Sequence, residues 1–312
     1  MRIDNVCIIG GSGFVGKHIA NLLATQGINL RIPTRHRERA KELLVLPVAD
    51  VVQANVHDDA ELDRLLVGMD AVINLVGVLH GDFSAAHVEL PRKIVAACAR
   101  NGITRLLHMS ALNAGASRPS AYLRSKGEGE RIVMTSGSMT TIFRPSVIFG
   151  PEDASLNLFA RLARLPVLLL ASPDAKFQPV FVEDVAHAFA ASLAAPNTFG
   201  QRYDLCGPQC YNLRQLVEYA AHVTGRKPTI IGLNDSLSYL EASVMEFLPG
   251  KLMTRDNYHS MKVDSVCGCD GPGKLAEIWG IRPTALEEVA PLYLANRMPR
   301  ERYDRYRHRA GR

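Results

Sequence analysis

The sequence predicts an α/β fold: a doubly wound parallel sheet with helices on both faces, followed by a smaller C-terminal α/β lobe. Three observations lead there. Apolar strand-like runs alternate with amphipathic helical runs through the first 150 residues. A glycine-rich turn stands where the first strand becomes the first helix. Beyond Gly150 that rhythm gives way to a mixed pattern. The 312 residues suit one large domain with a small lobe, and 47% hydrophobic residues supply a sizeable core.

Asn5–Ile9 is a short apolar run ending at glycine, as a strand buried on both faces would be. Residues 17–26 place Ile19, Leu22 and Leu23 at helical spacing, and Gly27 ends that helix. Further strands are predicted at 29–33, 51–54, 71–75, 105–110 and 140–144, with helices over 38–44, 59–66, 84–100 and 122–135. Pro91 inside the 84–100 pattern predicts a kink or a late start. Such alternation implies right-handed crossovers around a parallel sheet. Later come strands at 180–182 and 228–231 and helices over 185–194 and 213–224. Residues 1–150 therefore form the first domain, completed by sheet segments near 178–205; 151–296 form the smaller lobe, and 297–312 a basic tail. Asp184 is expected to cap the helix that follows it.

The formal charge of +5 belongs to that tail. Seven arginines between 297 and 312 stand against Glu301 and Asp304, so the body is close to neutral. Tyr303 and Tyr306 interleave with them; a solvated terminus is the favoured expectation, with contact to anionic lipid heads or nucleic acid as the alternative. A neutral body with 6% aromatic residues excludes a nucleic-acid surface there. No apolar stretch reaches bilayer-spanning length, and no secretory signal is read at the N-terminus. Cys7 and Cys98 sit in apolar segments as buried thiols of a reducing compartment. Cys206-x3-Cys210 and Cys267-x-Cys269 lack familiar ligand spacing, so no metal is expected. The expected location is the cytoplasm, with the inner-membrane surface as the alternative.

Gly10-Gly-Ser12-Gly13-Phe14-Val15-Gly16 carries the chemistry of the first domain. One glycine permits the tight turn, one lets backbone approach a pyrophosphate, and one lets the helix pack on the strand. The helix start then offers free N–H groups to phosphate. With a strand before and a helix after, the motif points to a dinucleotide. The second strand ends in Arg35-His-Arg37 with no acid at the turn, so a 2′-phosphate is favoured over a free ribose hydroxyl: NADP(H) first, NAD(H) second. Asn55 and Val56 after the third strand, and Val76 and Gly77 after the fourth, complete the expected groove.

Tyr122-x3-Lys126 shares one helix face. An ammonium beside a phenol favours the phenolate, so Tyr122 is expected to exchange a proton near neutral pH while Lys126 reaches the nicotinamide ribose. Ser110, at the end of the fifth strand, is placed to orient a carbonyl. A substrate pocket is expected over the carboxyl edge of the sheet, with Phe177, Phe181 and Met253 as candidate lining.

The glycine turn, Ser110, Tyr122-x3-Lys126, Arg144-Pro145-Ser-Val147-Ile-Phe-Gly-Pro151 and Pro179-Val-Phe-Val-Glu-Asp184 resemble the short-chain dehydrogenase/reductase superfamily, in its extended or atypical branch. The resemblance implies a Rossmann fold and makes Pro145 and Val147 candidate neighbours of the nicotinamide. Ser120–Glu130, His87–Lys93, Leu252–Asn257 and Pro283–Glu287 further resemble the nucleotide-binding accessory subunits of respiratory complex I and their bacterial relatives. Two functions are implied: an NADP(H)-dependent oxidoreductase acting on an unspecified small carbonyl or alcohol, or a nucleotide-loaded accessory subunit docked on complex I. A nucleotide-sugar epimerase or dehydratase is the third. The helix after the fourth strand reads His87-Val-Glu-Leu-Pro91-Arg92, without the Asn-x-x-Gly-Thr-like string of the epimerases.

Overall fold

A computed structural model of the chain describes residues 2–137, 139–247, 253–267 and 273–295. In chain order the elements are β1 (Asn5–Ile9), α1 (Phe14–Thr25), β2 (Asn29–Thr34), β3 (Ala49–Gln53), α2 (Asp59–Leu66), β4 (Ala71–Asn74), α3 (Leu90–Arg100), β5 (Arg105–Met109), α4 (Ala121–Met134) and β6 (Met139–Pro145). They continue as β7 (Ile148–Phe149), α5 (Ser155–Leu162), β8 (Val167–Leu170), β9 (Lys176–Phe177), β10 (Val180–Phe181), α6 (Val182–Ser192), β11 (Gln201–Leu205), β12 (Tyr211–Asn212) and α7 (Leu213–Val223). The last are β13 (Thr229–Gly232), α8 (Asp235–Met245), α9 (Arg255–Ser260), α10 (Gly273–Trp279) and α11 (Leu286–Leu294). The chain divides into two compact units, each built from three segments: 1–146, 182–206 and 272–282 in the first, the remainder in the second.

The first unit is a seven-stranded sheet in the order β11-β6-β5-β4-β1-β2-β3, every pair parallel. The order reverses between β1 and β4, which opens a crevice beyond their carboxyl ends. Its central strands are covered on both sides, which is why β4 and β5 are buried along their whole length. Cys7 and Ile9 of β1 pack with Leu62 and Leu66 of α2 and with Leu90 and Ile94 of α3. Alternate strand residues face the opposite side, where Phe143 of β6 stacks on Phe189 of α6 with centroids 4.0 Å apart. Helix α6 is tied to α1 by Glu183 and His18 at 2.6 Å.

Arg105 is the exception among these apolar strands. It is fully buried and pairs with no carboxylate among the described residues. Its guanidinium donates to the carbonyls of Met139, Ser192 and Leu193 and to Thr198 Oγ1, and lies 4.5 Å from the centre of the Phe199 ring. Burial pulls its pKa down to about 10, so it stays charged at neutral pH.

Three sequence expectations change. The helix over 38–44 is replaced by two 3-10 turns, Arg37–Ala40 and Leu43–Val45. Leu43 is buried but Leu44 and Val45 are exposed, so too little apolar surface is covered to hold a longer helix. The helix over 84–100 does not start late: it is continuous from residue 83, and Pro91 is accommodated by a π segment, Ala85–Glu89, immediately before α3. Helix α6 begins at Val182, three residues earlier than expected, so Asp184 lies within its first turn, where a carboxylate favours the helix start.

In the second unit β7, β8 and β9 pair with β10, β13 and β12 respectively, as two-stranded ribbons. Phe149, Leu156, Leu216 and Leu286 form one core with Tyr293, whose hydroxyl donates to Asp153 at 2.7 Å. Phe177 and Phe181 pack against that core, and Phe181 lies 5.5 Å from Phe149, ring to ring. No described helix is long and apolar enough to cross a membrane. Cys7 and Cys98 are free and buried, with thiols pushed up to about 12 by burial. Cys206, Cys210 and Cys267 are in disulfides, so the expectation of free thiols covers only the first pair. Cys269 and the basic tail, 297–312, lie outside the described residues.

Candidate functional site

The glycine turn is fixed by what a Cβ would strike. Gly10 has φ +87°, and a Cβ there would lie 3.2 Å from the Leu75 carbonyl carbon and the Val76 nitrogen. The turn after β1 therefore presses on the exit of β4. At Gly16 a Cβ would stand 2.5 Å from the Gly11 Cα, so α1 packs directly on the turn. Gly11, which sequence reasoning passed over, is as constrained: its Cβ would meet Ile32 at 2.8 Å and the Ile8 oxygen at 2.9 Å. Gly13 occupies the cap position of α1 without a side chain to fill it, and the first turn holds no acid. The N–H groups of Phe14, Val15 and Gly16 have no acceptor one turn back in the helix. Together they form the positive end of the helix, suited to phosphate.

A groove of about 450 Å³ opens from this turn. Gly10, Ser12, Gly13, Val56, Val76 and Gly77 line it, and so does Arg35. Thr34, His36, His57 and Val78 also line it, and nothing in the sequence singled them out. Ser12 Oγ reaches Thr34 Oγ1 at 3.3 Å, joining the turn to the end of β2. Arg35 is exposed and has no ion pair among the described residues. Phe14, Val15 and Gly16, at the start of α1, are not among its lining, and Arg37 and Asn55 are elsewhere. Arg37 opens a 3-10 turn outside the lining. Asn55 is turned to its own loop: its Oδ1 accepts from the His57 N–H at 3.1 Å, and its N–H donates to Glu61 at 2.6 Å.

Helix α4 starts where Ser120 Oγ accepts from the Leu123 N–H at 3.1 Å. One turn on, Lys126 is buried, with Nζ donating to the Val76 carbonyl at 3.3 Å and the Met109 carbonyl at 3.2 Å. A Cβ at Gly77 would sit 3.0 Å from that Nζ. Lys126 thus fastens the exit of β4 to the exit of β5. Burial lowers its pKa to about 8, partly offset by Glu130. The Tyr122 ring lies edge-on to His87 at 5.5 Å and to Phe83 at 6.1 Å. Burial pushes its phenol up to about 12, so the expected lowering by Lys126 is absent from this arrangement. Ser110, next to Met109, is 4% exposed, and its Oγ has no hydrogen-bond partner among the described residues.

A buried polar set holds the loop over this site; from the sequence its two histidines, His87 and His108, are expected to be packed or hydrogen-bonded, and they are. His87 Nε2 accepts from the Val78 N–H at 3.0 Å, so its proton is on Nδ1, which donates to Ser125 Oγ at 2.8 Å. Ser125 Oγ in turn donates to the Tyr122 carbonyl at 2.8 Å. Asn74 bonds His108 Nδ1 at 3.1 Å and accepts from the Val76 N–H at 3.1 Å. Burial, reinforced by Lys126, lowers both imidazoles to about 3. Pro145 ends β6 and accepts from the Leu112 N–H at 3.0 Å. Val147 belongs to the second unit, where its carbonyl accepts from Val180. Met253 lines an apolar groove of that second unit.

A family model described as NAD(P)H-binding matches residues 10–196. The chain is 30% identical over 295 residues to NADH dehydrogenase (ubiquinone) 1 alpha subcomplex subunit 9, mitochondrial, of Rattus norvegicus, covering 90% of this chain and 77% of that one. It is 30% identical over 235 residues to a ceramide reductase of Caulobacter vibrioides, covering 74% of each. Among solved structures it resembles an NADPH-dependent quinone oxidoreductase from Escherichia coli complexed with NADPH, with a TM-score of 0.76 and 21% identity over 93% of this chain and all of that one. A nucleoside-diphosphate-sugar epimerase from Staphylococcus aureus gives a TM-score of 0.74 at 18% identity, over 94% of this chain and all of the other.

Proposed function

The chain belongs to the NAD(P)H-binding family whose model spans more than half its length, and on that premise we propose that it prefers NADP(H) and transfers hydride between that cofactor and a carbonyl or alcohol. Arg35 carries the preference. It lines the groove beside the phosphate turn, has no ion pair among the described residues and is joined by no acid there, so its guanidinium is available to a 2′-phosphate. The N–H groups of residues 14–16 would hold the pyrophosphate, and Lys126 would hold the nicotinamide ribose through the N–H its two carbonyl bonds leave over. NADP(H), when bound, supplies the hydride. Ser110, buried with a hydroxyl unpartnered among the described residues, would donate to the substrate oxygen. Tyr122, held protonated at neutral pH by burial, would release its proton to the developing alkoxide as general acid. The ceramide reductase similarity favours the reducing direction.

Fluorescence titration with NADPH and NADH tests the cofactor site. We expect NADPH to bind more tightly, and Arg35→Ser to weaken NADPH by about ten- to a hundred-fold, the loss of a charge-assisted hydrogen bond, with NADH unchanged. Equal affinity of the native protein for the two would remove the preference. Tyr122→Phe is expected to lower turnover of any accepted carbonyl by roughly 10²–10⁴ while leaving NADPH affinity intact. Unchanged turnover would remove Tyr122 from the reaction.

A second reading is a nucleotide-loaded accessory subunit of respiratory complex I. The match to the rat subunit over 90% of the chain favours it. There the dinucleotide stabilises the fold by mass action and no reaction need follow. Affinity capture from source membranes tests it: recovery of respiratory-chain subunits supports it, and their absence counts against it. The likeness to an epimerase is one of fold alone.

A further inference from the structure

The second unit has a groove that the nucleotide chemistry does not use. It encloses about 710 Å³, within the range of ligand sites, roughly 300–1,000 Å³. Its floor is the small core of Leu168, Leu170, Leu213 and Val217. Its mouth is apolar as well. Helix α8 carries Leu237, Leu240 and Val244 on one face, exposed at 48%, 58% and 55%, and β8 adds Val167 and Leu169. A helix ordinarily turns such a face inward, and a contiguous exposed apolar patch marks a binding surface.

Among the groove's lining residues one is charged. Glu241 of α8 accepts from the Ala171 N–H through one carboxylate oxygen, while Oε2 is buried with no partner among the described residues. Burial raises its pKa. A buried acceptor without a donor is unfavourable, and a ligand donor would relieve it. Water alone fits poorly, because the walls around it are leucine, valine and methionine.

We propose that this groove binds one long-chain amphiphile, its hydrocarbon tail along the α8–β8 walls and a hydroxyl or ammonium head donating to Glu241. The tail requirement comes from the apolar walls, and the donor requirement from the unpartnered Oε2. The site lies wholly within the second unit, so it does not rest on the oxidoreductase reading.

The test uses the full chain without nucleotide and displacement of an environment-sensitive fluorescent alkyl probe. The competitors are dodecylamine, dodecan-1-ol and dodecanoate, each below its micelle concentration. We expect saturable micromolar displacement by the amine and the alcohol, with dodecanoate about ten-fold weaker. Leu240→Asp, at an exposed position that tolerates charge for folding, should weaken all three. Glu241→Leu should erase the preference among heads while keeping chain binding. NADPH titration of both variants should match the native protein, separating failure of this site from failure of the nucleotide site. Absence of saturable displacement, equal affinity for all three heads, or binding only to phosphatidylcholine vesicles would overturn the proposal, the last in favour of docking on a bilayer.

Discussion

His87 and His108 are uncharged at neutral pH because each is buried beside a lysine. In the folded chain they stay neutral down to about pH 3, whereas unfolded they take up protons below about 6.5. Below 6.5 the unfolded state therefore binds more protons. Their stabilising effect is complete above that pH and is lost as pH falls toward 3. Each ring contributes a slope of up to about 1.4 kcal/mol per pH unit. Thermal unfolding between about pH 7 and 5 should show a steep loss of Tm, and His108→Gln should reduce that slope by roughly half. An unaltered slope would place the acid sensitivity elsewhere. At this scale the sequence displayed the glycine turn, Arg35, Ser110, Tyr122 and Lys126, because each sits at a diagnostic spacing. It also gave His87 and His108 as packed or hydrogen-bonded residues, which they are, but it hid Asn74 and the partners of all three. A single polar residue in an apolar run has no period, and its partner is 34 positions away for Asn74 and 38 for His87.

The π turn before α3 and helix α4 explain each other at the scale of elements. Pro91 has no N–H to bond the His87 carbonyl, and a Cβ on Gly129 of α4 would collide with that same carbonyl oxygen. The widened turn and the glycine let two backbones meet beside Ser125, which bonds His87, and Lys126, which bonds the Val76 carbonyl. Gly129→Ala should cost about 2–4 kcal/mol in urea unfolding, as overpacking at a rigid contact does, and should weaken dinucleotide binding by shifting Lys126. A change below about 0.5 kcal/mol would show that the helices can part freely. The proline predicted an irregularity in the helix. The glycine did not announce its role, because only the packed pair defines it. The helix expected over 38–44 failed for the reverse reason: its apolar spacing was adequate, but one leucine alone found a core to enter.

The doubly wound parallel sheet was legible in the whole molecule because the alternation of strands and helices and the first turn imply it. The division of the chain was less so. Residues 272–282 return to the first unit, where Trp279 packs on Tyr203 at 4.8 Å and bonds Ser192 Oγ at 2.9 Å. One tryptophan in a short helix carries no such message in sequence. The apolar groove of the second unit was equally hidden, since its walls come from segments near 160–170, 213–217 and 233–261. Arg105 has a consequence for biosynthesis. Its carbonyl acceptors at Ser192 and Leu193 are translated 87 and 88 residues after it. Until they emerge, β5 presents an uncompensated cation inside an apolar layer and β6 an open edge. The half of the sheet that carries the glycine turn is free to close first, and the half that carries Ser110 must wait. A fragment ending at residue 150 should therefore be cut by protease within β5 and β6 while β1–β4 resist, and uniform protection of that fragment would show that Arg105 imposes no order on assembly.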